Sequence, residues 1–425
     1  KNSSTGGSAP SASDLVQGEL AVNVTDKRLY TENNAGAIVE LGTNPSTIDI
    51  NAGTVDGITS LSTSTSGTSN FIAGVNAGNS ITSGGNFNVL VGDEAGTAIT
   101  TGDNNVAVGY AALDANTTGT SNIAVGQSAL SNNTTGGSLV SVGNDALLAN
   151  TTGDYNVGIG YQSLKSNTTG DKNVAVGYQS LKSNTTADYN TAFGDQALES
   201  NTTGTRNTAV GALALDANTT TSFNTAIGYL SLSANTSGAS NVAVGDSALG
   251  LSTSGDNCTA LGQAALAANT SGNSNTAVGR GALIANTTAS NNTAVGYDAG
   301  KTNTTGARLT SVGARSGMQN TTGNYNAFFG YDAGESNTTA SSNTALGDSS
   351  LRETTTGASN TAVGQSALLA NTTGTQNTAV GALALDANTT ASYNTALGYA
   401  SLGMNTTGAD NTAVGRTALE NNTTA

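Results

Sequence analysis

The sequence predicts an all-β protein: a parallel β-solenoid of 17-residue coils, preceded by a small N-terminal β module. Glycines that follow Val, Ile, Leu or Phe recur with a 17-residue period from Gly92 to Gly415, which makes twenty copies without an insertion. The chain holds 55 Gly and no Trp among its 425 residues, so large apolar side chains are scarce. Any core must therefore be thin and built from small residues that repeat in register.

The repeat unit begins at that Gly, which is position 0 throughout. It carries Leu at position 4, Asn-Thr-Thr at positions 7–9 and Asn-Thr-Ala-Val at positions 13–16 in most copies. Gly, Asn and Thr are poor helix formers, and no apolar stripe of helical period runs along the unit. Short Thr/Val segments bounded by Gly favour strands, as does the absence of Pro after Pro45, because a ladder needs every N–H.

Alternation along a strand assigns the faces of the coil. Positions 14 and 16 should share one side and the near-constant Ala at position 15 the other, while Leu at position 4 points inward and position 5 outward. Fixing the backbone costs about 1–2 kcal/mol for each residue of the coil, and a buried Leu and Val return about 1.5–3 kcal/mol each. We therefore expect an oligomer, with the small Ala face as its seam, so that Ala209→Glu would split the assembly or prevent folding.

Asn recurs at positions 7 and 13, and in-register stacks of Asn can hydrogen-bond from coil to coil as amide ladders. The same Asn-Thr-Thr letters match a glycosylation acceptor, but an acceptor in nearly every coil would be an accident of the repeat, so the ladder is favoured. Cys258 occupies an Asn position, and we interpret it as a tolerated substitution rather than a nucleophile.

A ten-coil block is duplicated within the array. The letters NTAVGALALDANTT occur at 207–220 and again at 377–390, and the match extends over 122–245 and 292–415. The stretch should repack where three pairs of equivalent residues differ in size: Gly158 and Phe328, Leu147 and Gly317, Leu164 and Gly334.

The composition argues against catalysis and several classes of partner. With no His and one Cys, neither a Ser/His/Asp nor a Cys/His arrangement nor a His-containing metal site can be built. A net charge of −15 disfavours nucleic acid and anionic membranes, and no apolar run approaches the roughly 20 residues that span a bilayer. We predict no enzyme, no cofactor and no metal, no nucleic-acid partner and no membrane insertion. Four acidic residues that follow the turn Gly are expected to be turn residues: Asp103, Asp154, Asp171 and Asp256.

Eleven of the twelve Tyr lie in the array, all at position 1 or position 12. Four of them, Tyr155, Tyr161, Tyr325 and Tyr331, are candidates for a glycan-stacking surface. The alternative, packing at the solvent edge across corners or between chains, is favoured.

Residues 1–50 differ in character, with more apolar variety and a hairpin-like LYTENNAGAIVEL. This segment resembles the N-terminal segments of bacteriophage tail fibres and related virion appendages, in which a recurrent pattern is filled here by Pro10, Leu15, Gly18, Glu19, Ala21, Asn23, Asp26, Leu29, Tyr30, Gly36 and Leu41. In that family the segment lies close to the attachment to the particle. The resemblance therefore implies docking to a baseplate or neck.

The coils are similar to the heads of trimeric autotransporter adhesins, whose SVAIG motif is close to NTAVG at 207–211, and to the NTTG…NTAVG arrays of phage fibres. Those adhesin heads are left-handed parallel β-rolls closed as trimers, with coils shorter than those of this chain. This resemblance implies a left-handed β-roll and a homotrimeric fibre.

Together these inferences predict an attachment module at 1–50, a transition with irregular coils at 51–91 and a regular shaft at 92–425. The expected function is the structural shaft of a tail fibre on a virion, with a host-receptor-binding tip beyond Ala425. One alternative is a bacterial trimeric adhesin on the cell surface, which a C-terminal membrane-anchor barrel in the full gene would distinguish. Another is an ice-binding solenoid, which requires thermal hysteresis.

Overall fold

A computed structural model describes residues 2–3, 9, 11, 15, 17, 19–23, 28–32, 38–43 and 66–424. The chain divides into two compact units, Lys1–Leu61 and Ser62–Ala425.

The described residues of the N-terminal unit form four short strands: β1 (Asn2–Ser3), β2 (Leu20–Asn23), β3 (Arg28–Glu32) and β4 (Ile38–Thr43). β3 pairs antiparallel with both β2 and β4, and β1 pairs parallel with β2. In the β2–β3 register Ala21 lies opposite Tyr30, and both are buried together with Leu15. The predicted β module, including its hairpin, is confirmed.

Residues 66–424 hold twenty-one short strands, and each pairs parallel with its neighbours along the chain, the first and last strands on one side only. From β6 onward the strands follow one another with the 17-residue period, while β5 (Phe71–Ala73) stands one position further from β6 than the period requires. The remaining strands are β6 Val89–Val91, β7 Val106–Val108, β8 Ile123–Val125, β9 Val140–Val142, β10 Val157–Ile159, β11 Val174–Val176, β12 Thr191–Phe193, β13 Thr208–Val210, β14 Thr225–Ile227, β15 Val242–Val244, β16 Thr259–Leu261, β17 Thr276–Val278, β18 Thr293–Val295, β19 Thr310–Val312, β20 Ala327–Phe329, β21 Thr344–Leu346, β22 Thr361–Val363, β23 Thr378–Val380, β24 Thr395–Leu397 and β25 Thr412–Val414.

The predicted parallel β-solenoid of about twenty 17-residue coils is thus confirmed, and residues 66–424 contain no helix. Of the transition predicted at 51–91, residues 51–65 lie outside the described residues. The left hand and the trimer, which the resemblance implies, stay predictions.

The Gly at position 0 is required by the stacking of coils. Its backbone has φ near +130°, as at Gly211 (φ +131°), a region that side chains rarely adopt. A Cβ on Gly211 would lie 2.5 Å from the carbonyl oxygen of Gly228, the same Gly in the next coil. The 17-residue period of the sequence is therefore the period of these close backbone approaches.

Leu at position 4 has an unusual backbone. In sixteen coils this Leu lies at a φ between +50° and +57°, as at Leu113 (+57°) and Leu147 (+50°). The left-handed conformation costs an L-residue about 1–2 kcal/mol, whereas full burial of Leu contributes about 1.5–3 kcal/mol. Burial therefore outweighs the strain. The predicted inward direction is confirmed, because this Leu is fully buried in every coil that has it except the last, at Leu419.

Ala at position 15 faces the interior of the coil, and the expectation that it forms a surface for another chain is wrong. Ala209 is completely buried, whereas its strand neighbours Thr208 and Val210 are partly exposed. A closed coil of this length is so narrow that the inner side of the strand accepts little more than a methyl group opposite Leu. The larger Val and Thr side chains therefore lie outside, while position 5, as at Lys165, is half-buried.

Both predicted Asn ladders are present. At position 7, Asn133 Nδ2 donates to Asn116 Oδ1 of the preceding coil at 2.9 Å. At position 13, the backbone N–H of Asn122 donates to Asn105 Oδ1 at 3.0 Å. The Gly136 carbonyl at position 10 joins the two ladders, because it accepts Nδ2 of both Asn122 and Asn133 at 2.9 Å. These Asn side chains are fully buried, so in the folded coil they are hydrogen-bonded within the ladders and are not accessible as glycosylation acceptors.

Cys258 takes the place of one Asn in the position-13 ladder. Its backbone N–H donates to Asn241 Oδ1 at 2.8 Å, and its Sγ lies 3.2 Å from the Gly272 carbonyl that an Asn amide would otherwise reach. Burial raises the pKa of this thiol. A buried, protonated thiol in a structural row agrees with the tolerated substitution that the sequence predicts.

Candidate functional surfaces

The outer side of the solenoid sheet carries a row of apolar side chains along the whole array. We call the rows at positions 14 and 16, with the flanking rows at positions 12 and 1, the strand face. From β6 to β25, position 16 is always Val, Ile, Leu or Phe, and neither position 14 nor position 16 carries a charge in any coil. Phe193 is 56% exposed and Leu346 49% exposed. The row at position 16 is therefore continuously apolar, while position 14 is Thr in most coils, and an exposed apolar row of this length is typical of a surface that binds a partner.

Tyrosines border this stripe on both sides. Tyr155 and Tyr161 flank β10, and Tyr325 and Tyr331 flank β20 ten coils later. All four side chains are exposed, Tyr155 by 59%. The four candidates thus form two equivalent pairs on the strand face rather than one cluster.

Three of these four rings are already in contact with a neighbouring coil. Tyr161 stacks on Tyr178 with ring centroids 5.5 Å apart. The guanidinium of Arg308 lies 4.9 Å from the centroid of Tyr325, and that of Arg315 lies 5.8 Å from Tyr331. Such stacked and cation–π contacts stabilise the borders of the strand face. A glycan would have to use the remaining ring faces.

The residues of the predicted attachment pattern occupy several kinds of place. Leu15, Ala21 and Tyr30 form the small core of the N-terminal unit, with Ile38 packed against it. The Thr31 hydroxyl donates to the Glu19 carbonyl at 3.1 Å. Asn23, Leu29 and Leu41 lie in β2, β3 and β4, whereas Pro10, Gly18, Asp26 and Gly36 lie outside the described residues. At least part of the pattern is therefore a folding signature.

The acidic row at position 11 serves the backbone. Asp154 Oδ1 accepts the N–H of Gly137, and Asp171 Oδ1 accepts the N–H of Asp154, each at 2.7 Å from the preceding coil. Within the described part of the chain no group of three His, Cys, Asp or Glu could hold a metal ion. The same residues include no helix with the length and apolar character needed to cross a bilayer.

Two adjacent Thr rows run the length of the array at positions 8 and 9. The hydroxyl of Thr117 at position 8 donates to the carbonyl of Thr134 in the next coil at 3.0 Å, and its side chain is half-buried. The hydroxyls at position 8 are thus engaged by the backbone, which leaves position 9 as the exposed Thr row. The ice-binding alternative, which would use this exposed row, stays a prediction.

Sequence reasoning missed a pair of adjoining hollows on the turn side of the coils, at positions 1 to 6. The first, of about 320 Å³, is lined by Leu230, Ser233, Ser247, Gly250, Leu251, Ala267, Ala268 and Ile284. The second, of about 230 Å³, is lined by Gln263, Ala264, Arg280, Gly281, Ile284, Tyr297, Asp298 and Lys301. Ile284 lines both hollows. The signal in the sequence is the pair of small residues that two successive coils carry at positions 2 and 5.

Half-buried carboxyl groups at position 5 have perturbed ionisation. Burial raises the pKa of Asp114, Asp216 and Asp386. Each lies in the same LDANTT context, and Asp216 and Asp386 are equivalent residues of the two blocks. Because the three are separated by many coils, they do not form a pair of carboxyls for acid–base chemistry.

No protein-family model matches the chain, and no curated protein matches it either.

Proposed function

We propose that this protein is the structural shaft of a phage tail fibre or a related virion appendage. It docks to baseplate or neck proteins through its N-terminal module and projects a tip that binds the host receptor. The single observation that carries the proposal is the unbroken register of twenty coils from β6 to β25. At about 4.8 Å per strand, this stack spans about 95 Å with one repeated cross-section. What such an array chiefly provides is length.

The stack is suited to a mechanical role because its hydrogen bonds run along its axis. Backbone bonds link each coil to the next on several sides: Val106 N–H to Asn122 O, Leu113 N–H to Ala129 O, and Thr117 N–H to Thr134 O, at 2.8, 2.9 and 2.8 Å. The two Asn ladders add side-chain bonds in the same direction. Pulling the coils apart would break all of these at once.

The proposed assembly is a homotrimer in which the strand face of each chain packs against its neighbours. Apolar rows bordered by Tyr and Arg match the composition of protein interfaces, which are enriched in aromatic residues and Arg and depleted of Lys and Glu. A stripe that repeats in every coil suits a second copy of the same chain, because the partner then repeats with the same spacing. In this proposal the strand face, instead of the Ala face expected from the sequence, is the contact surface between the chains.

The assembly is tested by light scattering of the full chain. The expected mass is about 125 kDa, three times the 41.6 kDa of one chain. Replacing Phe193, Leu261 and Leu346, three exposed residues of position 16, together by Glu should yield folded monomers, because buried unpaired charges are costly. The matched control replaces the same residues by Thr, which other coils already carry on this face. An unchanged mass in the Glu variant would reject the strand face as the seam.

The virion assignment is tested by immunoelectron microscopy with an antibody raised against residues 66–424. Labelled fibres on phage particles support the proposal. Labelling of bacterial surfaces would instead support the trimeric adhesin, whose similar NTAVG-type coils make it the second candidate. Labelling of neither would reject both.

A further inference from the structure

We propose that the two hollows around Ile284 form one binding site for an amphipathic anion, an aliphatic chain with a carboxylate or phosphate head. They measure about 320 and 230 Å³, and only joined as one site do they fall well within the range of small-molecule pockets. The first hollow is lined by positions 2, 5 and 6, outside the strand face, whereas the second also includes Gln263, Arg280 and Tyr297 of position 1, at the border of that face. The apolar part of the site therefore does not depend on the fibre proposal.

The first hollow exists because small residues replace larger ones. Position 5 is Gly250 and Ala267 in two successive coils, whereas the same position is Leu148 and Leu369 elsewhere in the array. Leu230, Leu251 and Ile284 form walls around these small residues, and Leu251 is 60% exposed. An aliphatic chain that filled this space would cover apolar surface that now faces water.

The second hollow supplies a positive charge at one end. Arg280 Nε donates to Gln263 Oε1 at 3.3 Å, and its guanidinium lies 5.7 Å from the ring centroid of Tyr297. Among the described residues Arg280 has no acidic partner within ion-pair distance. The chain as a whole has a net charge of −15, and this guanidinium without an acidic partner gives the hollow a local positive charge.

The other charges of the second hollow are already paired. Lys301 Nζ lies 2.9 Å from Asp298 Oδ2, and the Asp298 side chain is largely buried. Gly281 makes room for it, since a Cβ there would lie 2.5 Å from Asp298 Oδ1. The net charge left for a ligand is that of Arg280, whose planar fork binds carboxylate and phosphate groups well.

The test measures binding of four ten-carbon probes to the full chain by calorimetry: decanoate, decyl phosphate, decanol and decyltrimethylammonium. We expect one decanoate or decyl phosphate per chain, with the tighter of the two identifying the head. Decanol should bind about tenfold more weakly, because it lacks the charge-assisted hydrogen bond. Equal affinity for the cationic probe, or no saturable binding of either anion, would overturn the proposal.

Two variants locate the site. Ala267→Leu fills the first hollow with a residue that the repeat tolerates at position 5, and it should abolish binding of both anions and decanol, whereas Ala267→Ser should not. Arg280→Gln should weaken the anions about tenfold and leave decanol unchanged. Arg416→Gln, at the same position over Tyr399, is its control. Undiminished decanoate binding in Ala267→Leu would place the ligand elsewhere and reject this site.

Discussion

In the first ten-coil block the core beside β10 is filled by Leu147 and Leu164, whereas in the second block the space beside β20 is filled by Phe328. The residues that face this space differ to match: the two leucines of the first block are replaced by Gly317 and Gly334 in the second. A Cβ at Gly334 would lie 2.6 Å from Phe328 Cδ1, and a Cβ at Gly317 would lie 2.7 Å from Phe328 Cδ2. Two leucines and a glycine in one block thus correspond to two glycines and a phenylalanine in the other.

The backbone is the same in both solutions. Leu147 and Leu164 have φ of +50° and +51°, and their counterparts Gly317 and Gly334 have +53° and +60°. The coil therefore fixes its path and its interior volume, and the side chains can share that volume in more than one way. A third solution occurs beside Gly300, where Leu309 stands at position 13 in place of Asn.

The largest expected loss of stability comes from removing Phe328 without restoring the two leucines of the first block. Phe328→Gly should leave a cavity that costs about 3–5 kcal/mol, because neither Gly317 nor Gly334 can fill it. Hydrogen exchange of residues 313–350 is the measurement, since a long repeat array need not unfold in one step. The triple variant Phe328→Gly, Gly317→Leu, Gly334→Leu should restore protection to the level of the first block. Failure of the triple variant would show that the two blocks differ in more than side-chain volume.

A smaller effect is expected where the Asn ladder differs between the blocks. Asn184 bonds Asn167 Oδ1 at 2.8 Å, and Asn201 bonds Asn184 Oδ1 at 3.0 Å, whereas the equivalent of Asn184 in the second block is Thr354. Asn184→Ala leaves buried amide groups unpaired and should cost about 1–3 kcal/mol.

The reverse change, Thr354→Asn, should extend the ladder of the second block and stabilise it by about 0.5–1.5 kcal/mol. Local hydrogen exchange of each block measures both variants. Equal responses to Asn184→Ala and Thr354→Ala would mean that the ladder contributes nothing beyond the hydroxyl of Thr354.

The smallest effect concerns the equivalent carboxyls Asp216 and Asp386. Because burial raises the pKa of each in the folded state, protonation favours folding. This contribution is fully present below the ordinary carboxyl pKa of about 3.9 and is lost as the pH rises through the raised value. Asp216→Ser and Asp386→Ser should therefore stabilise their coils by about 0.5 kcal/mol at pH 7 and lose that gain at pH 3. Opposite pH trends in the two blocks would contradict the burial explanation.

Much of the fold could be predicted because twenty copies of the repeat carry the same residue types at the same positions. The period indicated the coil length, Asn at positions 7 and 13 indicated the ladders, and the exchange between Gly158 and Phe328 predicted repacking. Alternation alone could not tell which side of the strand is inside, since Ala209 and Val210 are both apolar and the radius of the coil decides. The left-handed backbone at Leu113 also leaves no signal, because Leu ordinarily avoids it.

The functional surfaces were less accessible to prediction. The rows of Tyr were found from their positions, but the ring contacts of Tyr325 and Tyr331 depend on Arg side chains in neighbouring coils. The hollows around Ile284 are lined by residues of five successive coils, and no single repeat shows that Gly250 and Ala267 are neighbours.

The Gly-to-Gly contact of successive coils has a consequence for how the chain folds. Each coil meets its neighbour after a single turn of the solenoid, so the array closes short loops throughout, although it is made entirely of strands and turns. Loop closure over so short a segment has a small entropic cost, and proteins with such local contacts fold fast. We expect the time needed to add a coil to be independent of how many coils already stand. Refolding rates of arrays shortened by whole coils would measure it.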